Sequence, residues 1–296
     1  MAAEDPSRPI AVFDSGVGGL TVLHELLVWM PHEDFLYLGD TARFPYGERS
    51  AAELELFSGQ IADELLRRGA KLLVVACNSA TAAALQSLEA RVGAGGPGGA
   101  GVDVIAVVAP EAQQAAVSTR NGRVGLLATP ATVASGAYER ALHAADPHVH
   151  LESVSCPDLA PIIQGGFPFD EDMVSTVRSY CEPLRAARVD TVILGCTHFP
   201  LVRPILQRAL GRDVTLISPG AAIARRVERA LAVRGLENRS SEEGRYRFLC
   251  TGDAETFRAL GTRFLQMPLG EVARVELGPS AAGDRSRSAS AVGAAR

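Results

Sequence analysis

The stretch PIAVFDSGVGGLTVLHELLVWM (residues 9–30) decides the fold: a short β-branched run passes through a glycine-rich turn into a longer apolar segment of helical period. The same order returns twice. DFLYL (34–38) precedes AAELELFSGQIADELLRRG (51–69), and KLLVVA (71–76) precedes SATAAALQSLEARVG (79–93). Continuous apolar strands that each lead to a helix indicate a mainly parallel sheet with helices on both faces. The sequence therefore predicts an α/β protein.

The alternation of strand and helix continues through the second half of the chain. Further strands are predicted at residues 102–109, 123–129, 150–155, 190–195 and 213–217. Because each is followed by a segment that suits a helix or loop, the second half is also predicted to form a mainly parallel sheet.

A weak internal repeat connects the two halves. VVACNSATA around Cys77 and VILGCTHFP around Cys196 share a strand, a small residue, a cysteine, a polar residue and a helix start, and the cysteines are 119 residues apart. The turn at Asp14 has a counterpart at Thr129, 115 residues later. Two such similar separations are typical of a duplicated unit.

Charge and hydropathy exclude several classes of partner. The 296 residues include 29 Lys plus Arg and 34 Asp plus Glu, a net charge of −5, which offers no electrostatic footprint for nucleic acid or an anionic membrane. The apolar runs are far shorter than the roughly 20 residues that span a bilayer. The acidic start of the chain lacks the basic region of a signal peptide. We therefore expect a cytoplasmic protein without nucleic-acid or membrane partners.

Two of the five cysteines are candidates for chemistry. No CxxC pair and no zinc-type spacing occurs in the sequence, so we expect neither a disulfide framework nor a metal site. Cys156, Cys181 and Cys250 fit packing roles. Cys77 and Cys196 instead follow predicted buried strands and precede helix starts, the edge at which α/β sheets bind ligands. Because a free thiol titrates at about 8.5 and a helix start favours the thiolate, we expect modest help from a helix end or a neighbouring group to poise both thiols for proton transfer.

Two thiols that face each other across a cleft suit racemisation, in which one base removes a proton from a carbon and the other returns one to the opposite face. Pyridoxal phosphate, the common cofactor for such chemistry, needs a Schiff-base lysine. The only lysine, Lys71, lies at the start of a strand, the edge opposite the cysteines. A reaction without a cofactor is therefore predicted.

Four blocks, taken together and in this order, resemble the glutamate racemase family of bacteria. They are DSGVGGL (14–20), GDTARFPYG (39–47), ACNSATA (76–82) and GCTHFPLV (195–202), within a resemblance that runs from about residue 9 to about residue 235. The resemblance implies cofactor-independent conversion of L-glutamate to D-glutamate for peptidoglycan. Whether the protein forms a homodimer is left open by the sequence.

The resemblance also implies two pseudo-symmetric α/β domains with the active site in the cleft between them. We place the first domain at residues 1–106 plus 218–278 and the second at residues 107–217. The Gly-rich segment 93–101 is predicted to be a surface linker, and the tail 279–296, rich in Ala, Ser, Gly and Arg, is predicted to be disordered.

The roles of individual residues follow from the same resemblance. Cys77 would act on D-glutamate with the assistance of Asp14, and Cys196 on L-glutamate with the assistance of His198. The substrate would be held by Asp14, Ser15, Pro45, Tyr46, Gly47, Cys77, Asn78, Ser79, Thr129, Cys196, Thr197 and His198.

The chain departs from the family pattern at three positions. Ser79 replaces the usual threonine and keeps the hydroxyl, whereas Ser218 replaces an aspartate. Gln164 stands where a glutamate usually supports the cysteine–histidine side. A glutamine can hold a histidine by a hydrogen bond but cannot stabilise its cationic form by charge.

Three alternatives remain at this point. Related aspartate racemases tend to carry glutamate where His198 stands, so this histidine favours glutamate as the substrate. A lyase or decarboxylase would keep one thiol and lose the other. A non-catalytic binding or regulatory homologue is suggested by Gln164 and Ser218.

Overall fold

The computed structural model describes residues 5–93, 101–166 and 170–278. Its strands are β1 Ile10–Asp14, β2 Phe35–Gly39, β3 Leu72–Val75, β4 Asp103–Ala106, β5 Arg123–Ala128, β6 His150–Ser155, β7 Thr191–Gly195, β8 Thr215–Ile217, β9 Tyr246–Cys250 and β10 Val272–Arg274. The α-helices are α1 Leu20–Trp29, α2 Ala51–Arg67, α3 Asn78–Gly93, α4 Val108–Ser118, α5 Pro130–Ala134, α6 Ala137–Ala145, α7 Leu159–Gln164, α8 Glu171–Ala186, α9 Arg203–Leu210, α10 Gly220–Arg234 and α11 Ala254–Leu265. Short 3₁₀ turns occur at Thr41–Arg43, Tyr46–Glu48 and Phe199–Val202.

The strands form two separate sheets. Within the described residues, one has six strands in the order β10-β9-β2-β1-β3-β4, and the other has four in the order β6-β5-β7-β8. Every strand pair in this part of the chain is parallel. The prediction of two α/β domains with parallel sheets flanked by helices is confirmed.

The chain passes from the first sheet to the second after β4 and returns after β8. The domain limits given above, at residues 106 and 218, lie on these two crossings and stay a prediction. The tail 279–296 and residues 94–100 of the Gly-rich segment lie outside the described part of the chain.

The central strands are buried because helices cover both faces of each sheet. All five residues of β1, β2 and β7 are buried, which explains why each reads as a continuous apolar run. Side-chain caps fix several helix starts: Ser50 and Glu53 form a reciprocal capping box at the start of α2. None of the helices in the described residues is long and apolar enough to cross a membrane.

Lys71 joins distant parts of the first sheet. Its ammonium group donates to the Glu33 carboxylate at 2.5 Å and to the carbonyl oxygens of Pro6 and Leu236. Lys71 and Glu33 are both buried. The lysine lies just before β3, whereas Cys77 follows the other end of that strand.

Candidate active site

The carboxyl ends of strands from both sheets meet at one cleft. The segments that follow β1, β2 and β3 contribute from the first sheet, and those that follow β5, β6 and β7 contribute from the second. Its lining residues are Ser15, Phe44, Pro45, Tyr46, Gly47, Glu48, Cys77, Asn78, Ser79, Thr129, Pro157, Ala160, Pro161, Cys196, Thr197 and His198.

Eleven of the twelve residues expected to hold the substrate line this cleft. The exception is Asp14, which is fully buried and contacts the cleft through the Thr197 hydroxyl. Sequence reasoning missed the following lining residues: Phe44, Glu48, Pro157, Ala160 and Pro161. Phe44 lies inside the quoted GDTARFPYG block, so that block contained a signal for it.

The first cysteine of the cleft, Cys77, lies between the end of β3 and the start of α3. The backbone N–H of Ala80, in the first turn of that helix, donates to the Cys77 sulfur at 3.4 Å. Burial, together with the nearby Asp14 carboxylate, nevertheless raises the pKa of Cys77 to about 12. The expectation that a helix end or a neighbouring group would poise this thiol for proton transfer is wrong for the cleft without substrate, because desolvation outweighs the helix.

Cys196, the second cysteine, follows β7 and lies 3.8 Å, sulfur to Nδ1, from His198. Only a 3₁₀ turn, Phe199–Val202, comes next, and the α-helix starts later at Arg203. Burial raises the pKa of Cys196 well above its usual value, and Asp14 adds to the effect. The expectation for this thiol is wrong for the same reason as for Cys77.

The orientation of His198 is set by Gln164, one of the three positions at which the chain departs from the pattern expected from the sequence resemblance. The Gln164 side-chain oxygen lies 2.9 Å from Nε2 of His198. An oxygen acceptor at this position requires the proton on Nε2 and leaves the Nδ1 lone pair towards the Cys196 thiol. Burial lowers the pKa of His198 to about 3, so the ring is neutral at pH 7. In this tautomer, Nδ1 of His198 is placed to accept a hydrogen bond from the Cys196 thiol, and its low pKa makes the ring a weak base.

Asp14 lies beneath the cleft where the first domain meets the second. Its carboxylate accepts from the Gly16 N–H at 3.1 Å and from the Thr197 hydroxyl at 3.3 Å. Burial raises the pKa of Asp14, and these hydrogen bonds partly counteract the rise. The carboxylate thus connects the glycine turn after β1 to the cysteine segment after β7.

Gly18, in the turn after β1, permits the close approach of the segment that carries Cys196. A Cβ added to Gly18 would lie 2.5 Å from His198 Nδ1 and closer still to the Thr197 hydroxyl oxygen. A side chain at Gly18 would therefore displace the segment that carries Cys196.

A cluster of hydroxyl groups joins the domains on the other side of the cleft. Ser79 Oγ lies 2.8 Å from Thr129 Oγ1 and 3.1 Å from Thr132 Oγ1. Ser79 therefore contacts the second domain through its hydroxyl, the group that it shares with the threonine expected from the sequence resemblance. Nearby, the Tyr46 hydroxyl donates to the buried Asp40 carboxylate, so its hydrogen is already engaged within the first domain.

The remaining cysteines and Ser218, which the sequence analysis also singled out, do not line the cleft. Cys156, Cys181 and Cys250 are buried unpaired thiols, as expected for packing. Ser218 lies in a different depression, beside the start of α10, and nothing in the structure explains its replacement of an aspartate. In the described ranges, no group of three or more His, Cys, Asp or Glu residues is arranged to hold a metal ion.

Comparison with known proteins gives one consistent result. Residues 28–227 match the model of a family described as Asp/Glu/Hydantoin racemase. The glutamate racemase of Acidothermus cellulolyticus is 41% identical over 265 residues, which covers 89% of this chain and 97% of that protein.

Solved structures give the same match. Glutamate racemase isoform RacE1 of Bacillus anthracis superposes with a TM-score of 0.85 at 35% identity, covering 91% of this chain and 98% of that one. The glutamate racemase of Francisella tularensis, solved in complex with D-glutamate, has a TM-score of 0.84 at 32% identity, covering 92% and 98%.

Proposed function

Because the chain belongs to the family of aspartate, glutamate and hydantoin racemases, we propose that it is a glutamate racemase with two cysteine bases. The observation that carries the proposal is that Cys77 and Cys196 come from different sheets and line the same cleft. A single-thiol lyase or decarboxylase would not need this arrangement.

In the L-to-D direction, the Cys196 thiolate would remove the α-proton and the Cys77 thiol would donate its own proton to the opposite face of the carbon. His198 Nδ1 would take the proton from Cys196 to form the thiolate. In the reverse direction the two thiols exchange roles, and Asp14 lies close enough to influence the charge of both.

The raised pKa values of Cys77 and Cys196 indicate that the substrate itself must help to ionise the thiols. Glutamate brings an α-ammonium group into the cleft, and a nearby positive charge lowers the pKa of a thiol. The reacting thiolate would then form only when the substrate is bound.

Hydrogen-bond donors at the cleft suit the two carboxylates of glutamate and the negative charge that develops when the α-proton leaves. They comprise the hydroxyls of Ser79 and Thr129 and the backbone N–H groups of the turns at the strand ends. Glutamate is preferred over aspartate in this proposal because His198 follows Thr197.

The proposal needs no pyridoxal cofactor. Lys71 cannot form a Schiff base in the cleft while its amine is buried and bonded to Glu33 at the opposite end of β3. We further propose that the protein supplies D-glutamate for peptidoglycan in the cytoplasm, as the sequence resemblance implies.

The test measures racemisation of L- and D-glutamate, and of L-aspartate, with a chiral assay. Cys77→Ser and Cys196→Ser should each lower the rate at least about 100-fold in both directions, since each removes a proton-transfer group. Cys181→Ser, a buried thiol outside the cleft, is the matched control and should keep its activity. Full activity in either cleft variant would refute the two-base proposal.

A non-catalytic homologue gives a different result in the same samples. Such a protein would bind D-glutamate tightly and show no exchange of the α-proton. Preferential turnover of aspartate would replace the proposed substrate while leaving the two-thiol arrangement in place.

A further inference from the structure

Glu111 is a buried acid that none of the sequence motifs includes. It lies in the first turn of α4, which packs against the second sheet, and its side chain is fully buried. One of its oxygens, Oε2, accepts a hydrogen bond from the Tyr138 hydroxyl and another, 3.1 Å long, from Nδ2 of Asn78. Tyr138 belongs to the second domain, whereas Asn78 begins α3 of the first.

These contacts fix the orientation of the Asn78 amide. Its Nδ2 group donates both hydrogens, one to Glu111 and one to the Tyr138 hydroxyl at 2.7 Å. The amide oxygen, Oδ1, is buried and has no hydrogen-bond partner among the described residues, although Asn78 lines the cleft. A buried acceptor without a donor is unfavourable, so this atom is suited to a ligand that brings one.

The chemistry of glutamate identifies the group that meets this oxygen. At neutral pH both carboxylates of glutamate only accept hydrogen bonds. Its α-ammonium group is the one donor it offers. An amide oxygen that lacks a donor, on a residue that lines the cleft, would therefore select for that group.

We infer that Glu111 is a positioning residue for the substrate, which, with Tyr138, holds the Asn78 amide so that Oδ1 accepts from the α-ammonium group. The inference rests on the proposed function, because it takes glutamate as the ligand. It assigns the second domain a part in orienting a side chain of the first.

The protonation of Glu111 agrees with this role. Burial raises the pKa of Glu111 to about 8, and the hydrogen bonds from Tyr138 and Asn78 counteract only part of the rise. The carboxyl group is therefore mainly neutral at pH 7. It can hold the amide without a full negative charge beside the carboxylates of the substrate. Its second oxygen, Oε1, is buried without a hydrogen-bond partner among the described residues.

The test compares two ligands that differ by the ammonium group. Glutarate has the same two carboxylates and carbon chain as glutamate but no α-ammonium group. Binding of D-glutamate and of glutarate is measured by calorimetry for the wild type, Glu111→Leu and Glu111→Gln. Glu33→Gln is the control, since it alters another buried carboxylate that bonds Lys71 away from the cleft.

Glu111→Leu should weaken D-glutamate binding about tenfold or more, as expected for losing a hydrogen bond to a charged group, and leave glutarate binding unchanged. Glu111→Gln retains an acceptor oxygen and should recover most of the lost affinity. The control should bind both ligands as the wild type does.

An equal loss for both ligands in Glu111→Leu would show a general disturbance of the cleft and overturn the inference, as would no loss at all. If Glu111→Leu does not fold, Tyr138→Phe removes the hydroxyl that contacts both Glu111 and Asn78, and the same selective loss is expected. Racemisation by the wild type is measured separately. Its absence refutes the proposed function while the binding comparison still decides the role of Glu111, and a wild type that does not bind D-glutamate refutes both.

Discussion

Replacing Gln164 by glutamate should raise the pKa of His198 and speed the transfer of a proton from Cys196. The Gln164 side-chain oxygen lies 2.9 Å from Nε2 of His198, so both partners of this hydrogen bond are neutral. The variant puts a carboxylate at the same place. Because residue 164 is only half-buried, the carboxylate keeps part of its hydration and can remain ionised.

The size of the expected rate increase follows from the pKa of His198. With a pKa of about 3, protonating this ring at pH 7 costs about 5 kcal/mol, at 1.36 kcal/mol for each pKa unit. An opposite charge at hydrogen-bond distance raises a pKa by about one to three units, which lowers that cost by about 1.4 to 4 kcal/mol. If formation of the Cys196 thiolate limits the rate, kcat/KM should rise about tenfold or more. The rise must be equal in both directions, because the equilibrium constant of a racemisation is one.

The assay is nitrogen NMR of protein labelled in its histidine rings, with His198→Asn used to assign the signal. In the wild type we expect His198 to be neutral, with its proton on Nε2, down to pH 5. In Gln164→Glu the ring should titrate between about pH 4 and 6. Gln164→Met keeps the length of the side chain but not the acceptor, so the pKa should stay low and the preference for the Nε2 proton should weaken.

Three results would each contradict part of this reasoning. A wild-type His198 that titrates near 6.5 would show that burial does not control it. A Gln164→Glu variant with an unchanged titration would show that residue 164 does not act on the ring. A raised pKa with unchanged kcat/KM would remove His198 from the rate-limiting proton transfer.

Three further outcomes are expected. Because the pKa of Cys77 is about 12, its alkylation should be slow at pH 7, speed up about tenfold per pH unit to pH 10 and be suppressed by D-glutamate; a rate independent of pH would contradict this. Gly18→Ala should lower both kcat/KM and the free energy of unfolding, the latter by about 1 to 3 kcal/mol, because its Cβ would overlap Thr197 and His198; wild-type values would contradict the close approach. The pKa of Glu111 rises on folding from 4.5 to about 8, so the folded state holds this proton more tightly and stability falls as pH rises through that interval. In urea unfolding, the free energy of unfolding of Glu111→Gln relative to that of the wild type should therefore increase between pH 5 and pH 8, on the order of a few kcal/mol. A difference between the two proteins that does not change with pH would argue against a neutral buried acid.

The sequence predicted the central strands because residues buried on both faces of a sheet form continuous apolar runs. It did not predict β9 or β10. In β9, Arg247 interrupts the run, and its partner strand β2 lies about 210 residues away along the chain. β10 is a three-residue edge strand with two exposed residues, so it carries almost no apolar pattern. The apolar run at 102–109, predicted as one strand, contains a strand that ends at Ala106 and the start of α4 at Val108.

The residues of the site were largely predictable because they lie in short motifs at strand ends. Their ionisation was not, because burial of the thiols depends on how the two domains meet across the cleft. Glu111 was missed for a related reason. Its partners Asn78 and Tyr138 are 33 and 27 residues away and contact it only in the folded structure. The one local signal was an acid directly after the apolar run that ends at Pro110.

The two-base mechanism is tested most directly by the position of deuterium early in the reaction. L-glutamate is incubated with the enzyme in heavy water, the reaction is stopped before equilibrium, and both enantiomers are separated and analysed by mass spectrometry. With separate bases at Cys77 and Cys196, the D-glutamate formed should carry deuterium at the α-carbon, while the remaining L-glutamate keeps its proton. The mirror result is expected from D-glutamate. Product that retains the original α-proton would show that one base serves both faces and would contradict the account.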